Sequence, residues 1–285
     1  MTAIKYIKFD GCHNNKDIFR SLRHLVLHTL SNLERWSSQQ ENGDGDEQRR
    51  EEDKQVILGC LCRLRIHDCP KLIRLPKLLL PALEFLEMNG VGCDRIDLPM
   101  SKSVKKFELR DVPNLERWSF PEEVILCFLK IFNCPKLMRL PKLLLPALEF
   151  LEMNRVGCER IDLPMSKSLK KFVLRDMPNL ERLSFPEVDD DEDGQVILRF
   201  FHTLKIFNCP KLIRLLKLLL PALEFLEMNG VGCDRIDLPM SKSLKEVKLE
   251  HMPNLESWSS REVDGDEDDQ VILRFFCTLD IFDCP

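Results

Sequence analysis

The chain has 285 residues, of which 44% are apolar and 31% charged, and its formal net charge is −5. This apolar content is ample for a continuous core, and no apolar run approaches the length of a membrane-spanning helix. Met1–Cys12 lacks the apolar stretch of a secretory signal. We therefore expect a soluble protein with no membrane partner, located in the cytoplasm, with the nucleus as the alternative.

The sequence repeats itself over long segments. Residues 70–103, 135–168 and 210–243 share one sequence. The second and third segments depart from the first at Met138, Arg155, Glu159 and Leu216. Self-similarity of this kind indicates a stacked array. A catalytic residue is needed once, whereas nearly every candidate here recurs, so we expect no enzyme and no cofactor.

Each long block contains shorter units, in which three apolar residues are separated first by two residues and then by one. In chain order the units begin at Ile4, Leu22, Leu61, Leu83, Val104, Leu126, Leu148, Leu169, Phe201, Leu223, Leu244 and Phe276. From Leu61 onward the unit starts lie 21 or 22 residues apart unless an insert intervenes, which is the spacing of leucine-rich repeats. The last two apolar positions alternate with polar ones, as in a short half-buried strand.

These patterns predict a single solenoid over residues 1–285 with about twelve repeats. The predicted fold is an α/β solenoid that is mostly β: a right-handed leucine-rich-repeat horseshoe with a parallel concave sheet. Prolines such as Pro70, Pro81 and Pro113 in the return segments argue against long helices there. We therefore expect an irregular or 3₁₀ convex side.

Three acidic inserts interrupt the repeats, at about residues 38–54, 187–195 and 261–270. They fall at equivalent points of the array. Their composition cannot bury enough apolar surface to offset the entropy of ordering. We predict solvated, disordered loops that are dispensable for folding.

Most of the twelve cysteines fall on repeat positions, which predicts buried structural thiols in a reducing compartment. One ladder comprises Cys69, Cys134, Cys209 and Cys284, with Cys12 expected at the same repeat position, and a second comprises Cys93, Cys158 and Cys233. A metal site at Cys60, Cys62 and Cys69 is the alternative, although no second pair at ligand spacing accompanies it.

Strand residues that do not point inward should line the concave face, and exposed aromatic residues among charges are typical of a protein-binding surface. The candidates are Phe85, Glu87, Arg110, Lys130, Phe132, Phe150, Glu152, Arg175, Lys205, Phe207, Phe225, Glu227 and Lys248.

Basic residues also repeat, and we expect them to form a stripe along one edge. They are Lys71, Arg74, Lys77, Lys136, Arg139, Lys142, Lys211, Arg214 and Lys217. The stripe lacks aromatic interleaving and any nucleic-acid motif, which argues against a nucleic-acid partner. A solvated edge and a docking site for an acidic protein surface both remain open.

The segments LRIHDCPKLIRLP (64–76) and FELRDVPNLERW (107–118) resemble the C-terminal leucine-rich repeats of plant intracellular nucleotide-binding disease-resistance receptors. Cys69–Pro76, Cys134–Pro141 and Cys209–Leu216 match one recurring motif of that family, and Met177–Glu181 and Met252–Trp258 match another. The resemblance implies a sensor region that binds a protein ligand, either a pathogen effector or a guarded host protein. It also implies contact with an upstream nucleotide-binding switch domain, which this sequence does not contain.

Two alternatives stay open. A substrate-binding adaptor of a ubiquitin ligase also uses leucine-rich repeats, although no F-box precedes Ile4. A non-functional truncated repeat fragment is the other, since the chain starts and stops inside a repeat. Open solenoid ends expose core residues and strand edges, and we therefore expect the isolated chain to self-associate.

Overall fold

The computed structural model describes residues 6–8, 21–37, 56–75, 78–98, 101–121, 124–140, 147–162, 168–184, 196–197, 200–215, 218–219, 222–237, 243–259 and 277–284. The three acidic inserts lie outside these residues, as do Cys12, Lys77, Lys142 and Lys217. The chain divides into two compact units, Met1–Val124 and Ile125–Pro285. Among the described residues no helix occurs, and hence none is long and apolar enough to cross a membrane.

The first unit consists of parallel strands wound as a solenoid. Its strands are β1 (Tyr6–Lys8), β2 (His24–His28), β3 (Arg35–Ser37), β4 (Val56–Ile57), β5 (Arg63–Cys69), β6 (Leu78–Leu79), β7 (Phe85–Val91), β8 (Arg95–Asp97), β9 (Lys106–Arg110) and β10 (Arg117–Ser119). Strands β2, β5, β7 and β9 form its main sheet in that order. Three short parallel pairs complete it: β1 with β3, β4 with β6, and β8 with β10.

The second unit repeats this architecture. Its strands are β11 (Phe128–Cys134), β12 (Phe150–Val156), β13 (Arg160–Asp162), β14 (Lys171–Arg175), β15 (Arg182–Ser184), β16 (Val196–Ile197), β17 (Thr203–Cys209), β18 (Arg214–Leu215), β19 (Leu218–Leu219), β20 (Phe225–Val231), β21 (Arg235–Asp237), β22 (Glu246–Glu250), β23 (Ser257–Ser259) and β24 (Thr278–Phe282). The main sheet has the order β11-β12-β14-β17-β20-β22-β24, and a side sheet has the order β13-β15-β18-β21-β23. Strand β16 pairs with β19. The predicted solenoid of parallel strands is confirmed.

The main sheets follow from the alternation in each unit. In β5, Leu64 and Ile66 are fully buried, whereas Arg63 and Arg65 face solvent. The register keeps equivalent positions side by side, so that Leu64 lies between Leu25 and Leu86. Burying such a side chain contributes about 1.5–3 kcal/mol. Because each repeat of about 22 residues packs only against the repeats next to it, the core runs continuously along each solenoid.

Every main-sheet strand among the described residues contains or precedes one residue with a left-handed backbone. These residues are Thr29, Asp68, Gly90, Asp111, Asn133, Arg155, Asp176, Asn208, Gly230, His251 and Asp283. Most are glycine, asparagine or aspartate, the residues that adopt this conformation most readily. The turn redirects the chain so that the next residue, such as Cys69 or Val91, enters the core.

The cysteine ladders lie in the core at the start of the return segments. Cys69, Cys134 and Cys209 directly follow the left-handed residue and are fully buried. In the second ladder, the Cys93 thiol donates to the Leu72 carbonyl oxygen at 3.3 Å. Cys158 and Cys233 make the same bond to Leu137 and Leu212, each at 3.2 Å. The prediction that these six thiols are packed into the core is confirmed, whereas Cys284 is half-buried.

Candidate functional site

The outward-pointing residues of the main sheets form one solvent face in each unit. All thirteen candidate residues of this face lie at alternate positions of main-sheet strands, where the strand periodicity directs them outward. In the first unit these are Phe85 and Glu87 on β7 and Arg110 on β9; the other ten lie in the second unit, on β11, β12, β14, β17, β20 and β22. Phe225 is the most exposed aromatic candidate, at 36%.

A pair of stacked aromatic rings occupies the solvent face of the second unit. Phe128 and Phe150 are neighbours on β11 and β12. Their rings lie 4.6 Å apart and are nearly parallel, at 9°. The Lys130 ammonium lies 5.2 Å from one ring centre and 5.3 Å from the other. Aromatic rings held beside cations on an open sheet offer a contact surface of large area and little flexibility.

Strand β14 contributes a cluster that we call the cationic patch: Lys171, Val173 and Arg175, with Phe150 on one side and Phe207 on the other. The Lys171 ammonium lies 5.5 Å from the Phe150 ring centre, and the Arg175 guanidinium lies 4.2 Å from that of Phe207. Val173, between the two cations, is only 3% exposed. The patch therefore has an apolar floor and two positive charges above it.

The lysines on β11, β17 and β22 are paired with carboxylates. The contacts are Lys130 Nζ to Glu152 Oε2 at 3.3 Å, Lys205 Nζ to Glu227 Oε2 at 2.7 Å, and Lys248 Nζ to Glu246 Oε1 at 2.7 Å. Within the part of the chain that the structure describes, neither Lys171 nor Arg175 has a carboxylate partner. From β11 to β20 the face thus carries an excess of positive charge.

The first unit has a related arrangement on β7 and β9. The Phe85 ring lies 5.3 Å from the Arg65 guanidinium and 5.1 Å from the Lys106 ammonium. The difference is Glu108, whose carboxylate is nearly buried and contacts both Lys106, at 2.9 Å, and Arg110, at 3.8 Å. Here one carboxylate of the same strand lies between the two cations.

A row of ion pairs runs beside the start of the main strands. Equivalent lysine–glutamate contacts occur in all three long blocks: Lys105–Glu84 at 3.0 Å, Lys170–Glu149 at 2.8 Å and Lys245–Glu224 at 2.9 Å. The hydrogen bond from Lys245 is the main cause of the lowered pKa of Glu224. These groups are exposed, so solvent screens them and each pair contributes little stability.

The buried cysteines of the ladders do not have the properties of nucleophiles. Burial raises the pKa of Cys93, Cys158 and Cys209 to about 12, so these groups are neutral thiols at physiological pH. No three His, Cys, Asp or Glu side chains within the described ranges are grouped to hold a metal ion. Cys60 and Cys62 lie near the surface, whereas Cys69 is buried in the core.

The basic stripe is exposed where the structure describes its side chains. Lys71, Arg74, Lys136, Arg139 and Lys211 lie at the surface. Lys71 donates to the Asn32 amide oxygen at 2.9 Å, and Lys211 donates to that of Asn179 at 3.5 Å. The stripe residues recur only once per long block. Two further repeats therefore separate each set of three basic residues from the next.

The structure instead aligns arginines of successive repeats, which lie side by side in the short strands. In the first unit, Arg95 lies beside both Arg74 and Arg117. In the second unit the register aligns Arg160, Arg182, Arg214 and Arg235. Acidic residues alternate with these rows; Arg95 and Arg160, for example, contact Asp97 and Asp162, each at 2.6 Å. At least two arginines of these rows are thus paired with a carboxylate of their own strand.

Phe128, Asn154 and Val173 belong to the site but are not among the candidates that the sequence singles out. The alternation of β11 could have identified Phe128, two residues before Lys130. The replacement of Glu108 by Val173 in otherwise identical five-residue strands was the available signal for the patch. No sequence signal marks Asn154, whose buried amide oxygen lacks a hydrogen-bond partner.

Comparisons with protein-family models, with curated proteins and with solved structures found no match to this chain. The resemblance to plant disease-resistance receptors therefore stays a hypothesis.

Proposed function

We propose that this protein is a recognition module that binds a protein ligand on the solvent face of its main sheets and catalyses no reaction. The observation that carries the proposal is the stacked pair of Phe128 and Phe150, flanked by Lys130 and Lys171 on an open sheet. A rigid sheet holds these side chains in place before binding, which reduces the entropy cost of association.

The proposal extends to the family and the finer fold. The unit spacing, the left-handed Asp or Asn at most strand ends and the buried Cys that follows support a leucine-rich-repeat horseshoe whose main sheet is concave. In a plant disease-resistance receptor such a region senses a pathogen effector or a guarded host protein. An upstream nucleotide-binding switch domain would then dock on the basic stripe, with both partners in the cytoplasm or nucleus. These assignments rest on the resemblance of motifs.

A selection experiment tests the binding surface. A random linear peptide library displayed on phage is selected on the full chain, and the selected binders are then measured on Phe150→Ser and Phe207→Ser. We expect each substitution to weaken binding by about tenfold or more, as for aromatic residues at the centre of an interface.

The matched control is Phe200→Ser, because Phe200 is 55% exposed in the same unit but lies outside the main sheet. Binding should be unchanged by that substitution. Selected peptides that bind all three variants equally, or a selection that returns no binder, would overturn the proposed function.

A further inference from the structure

Two strands of the repeat differ at one residue and show how the patch can accept a ligand. Strand β9 has the sequence KFELR and β14 has KFVLR, so Glu108 and Val173 occupy the same position. In β9 the Glu108 carboxylate lies between Lys106 and Arg110, with one oxygen 2.9 Å from the lysine and the other 3.8 Å from the arginine. Two cations four positions apart on one strand can thus share a single carboxylate between them.

In β14 this internal carboxylate is missing. Lys171 and Arg175 rest instead on the rings of Phe150 and Phe207. A cation–π contact at an exposed site is weaker than a charge-assisted hydrogen bond. Both side chains can therefore turn toward an incoming carboxylate at little cost, as Lys106 does while it remains beside Phe85.

A second polar group at the patch also lacks a partner. Asn154 on β12 is the register neighbour of Arg175, and its amide oxygen is buried without a hydrogen bond. A buried acceptor left unpaired costs about 1–3 kcal/mol. The patch thus presents two cations to an incoming acidic side chain and has one unpaired acceptor buried beside Arg175.

We propose that the cationic patch binds an acidic side chain of a partner's peptide segment, held between Lys171 and Arg175 above Val173. Glu108 is the internal counterpart of this ligand in the first unit. The apolar floor and the two phenylalanine rings favour apolar residues beside the acidic one. The inference rests on the proposed function and specifies the chemistry of its partner.

The test uses the peptides selected on the full chain, synthesised with a fluorescent label and measured by anisotropy. We expect the selected peptides to be enriched in Asp and Glu, and replacement of their acidic residues by Asn or Gln should weaken binding about tenfold. Val173→Glu copies the first unit and should abolish binding, because an internal carboxylate then occupies the site.

Val173→Gln is the matched control, since it has the same size as Val173→Glu without the charge and should keep most of the affinity. Arg175→Gln provides a second variant on the surface of the patch and should weaken binding about tenfold. Circular dichroism confirms that each variant is folded.

The outcomes separate this inference from the proposed function. Peptides that depend on Phe150 but are not acidic, or that bind Val173→Glu as tightly as the parent chain, would overturn the carboxylate site and leave the proposed function standing. A nucleic acid added as competitor provides a further test. If it displaces the labelled peptide, and peptides of unrelated acidic sequence bind equally well, the carboxylate site would also be overturned. Binding that appears only after deletion of residues 187–195 would make the chain's own acidic segment the occupant and would also overturn it.

Discussion

Gly157 and the carbonyl group of Pro135 lie in direct backbone contact, so that a Cβ atom on Gly157 would overlap the Pro135 oxygen. The Gly157 amide donates to the carbonyl of Cys134 at 3.3 Å, which holds the two segments together. The same contact recurs between Gly92 and Pro70, and between Gly232 and Pro210. Only a residue without a side chain allows the backbones of successive repeats to approach this closely.

We therefore expect Gly157→Ala to destabilise the protein by about 2–4 kcal/mol, because backbone must shift to relieve the overlap. Urea denaturation measures the loss. The control is Gly59→Ala, which meets no atom within 4 Å and should stay within about 0.5 kcal/mol of the parent. Equal stability of both variants would contradict the close approach at Gly157.

The second prediction concerns Arg155, which has φ of 53° where the equivalent residues are Gly90 and Gly230. A left-handed backbone costs a non-glycine residue roughly 1–2 kcal/mol, and glycine loses roughly 0.5–1 kcal/mol of chain entropy in exchange. The Arg155–Asp176 contact, at 3.5 Å and largely exposed, adds little. Arg155→Gly should therefore raise the free energy of unfolding by about 0.5–1 kcal/mol.

The reciprocal change, Gly230→Arg, tests the same cause in the opposite direction. A Cβ on Gly230 would make only ordinary van der Waals contact with the Asn208 backbone, at 3.5 Å, so its φ of 64° is what opposes a side chain. Gly230→Arg should lower stability by a similar amount. The explanation fails if Arg155→Gly destabilises the protein or if both changes have the same sign.

The third prediction concerns thiol reactivity at neutral pH. Cys60 and Cys277 are exposed and should react with a thiol reagent at once, whereas Cys93, Cys158 and Cys209 are buried neutral thiols and should be protected. In denaturant all twelve cysteines should react. Mass spectrometry of the labelled peptides assigns each site. Rapid labelling of Cys158 in the folded chain would contradict its burial.

The fourth prediction concerns alkaline pH. Burial raises the pKa of Cys93, Cys158 and Cys209 from 9.0 to about 12. These thiols therefore lose their protons at a lower pH in the unfolded chain than in the folded chain. The stability that these thiols contribute is complete below pH 9 and is lost as pH rises toward 12, with a slope of about 1.4 kcal/mol per pH unit for each thiol.

Denaturation curves between pH 7 and 11 measure this dependence. Cys158→Ala should be less stable at neutral pH but should lose stability less steeply above pH 9, because one titrating group is gone. Identical slopes for this variant and the parent chain would contradict the raised pKa of Cys158.

Much of the fold was accessible from the sequence, because a strand has a fixed period of two. In β5 the alternation alone predicts that Leu64 and Ile66 face the core and that Arg65 faces solvent, and the structure confirms it. The recurrence of Cys69, Cys134 and Cys209 predicts one buried ladder for the same reason. Repetition strengthens these predictions, because the same pattern of apolar residues supports the same interpretation in every copy.

The site was harder to predict from the sequence, because it depends on contacts between successive repeats. Phe150 and Lys171 are separated by a return segment, and the sequence does not say that they are register neighbours. The inserts vary the number of residues between strands, so the alignment of Phe207 with Arg175 across residues 176–202 follows only from the pairing of β14 with β17.

By itself, the sequence determined the repeat period, the parallel stacking and the side of each strand that enters the core, since these depend on local spacing and the hydrophobic effect. Only the tertiary structure decided which outward residues meet. The register between neighbouring strands places Lys171 and Arg175 beside Phe150 and Phe207, and brings the Pro135 carbonyl against Gly157. Those contacts depend on how each return segment turns, through one left-handed residue per strand, and local patterns do not specify that path.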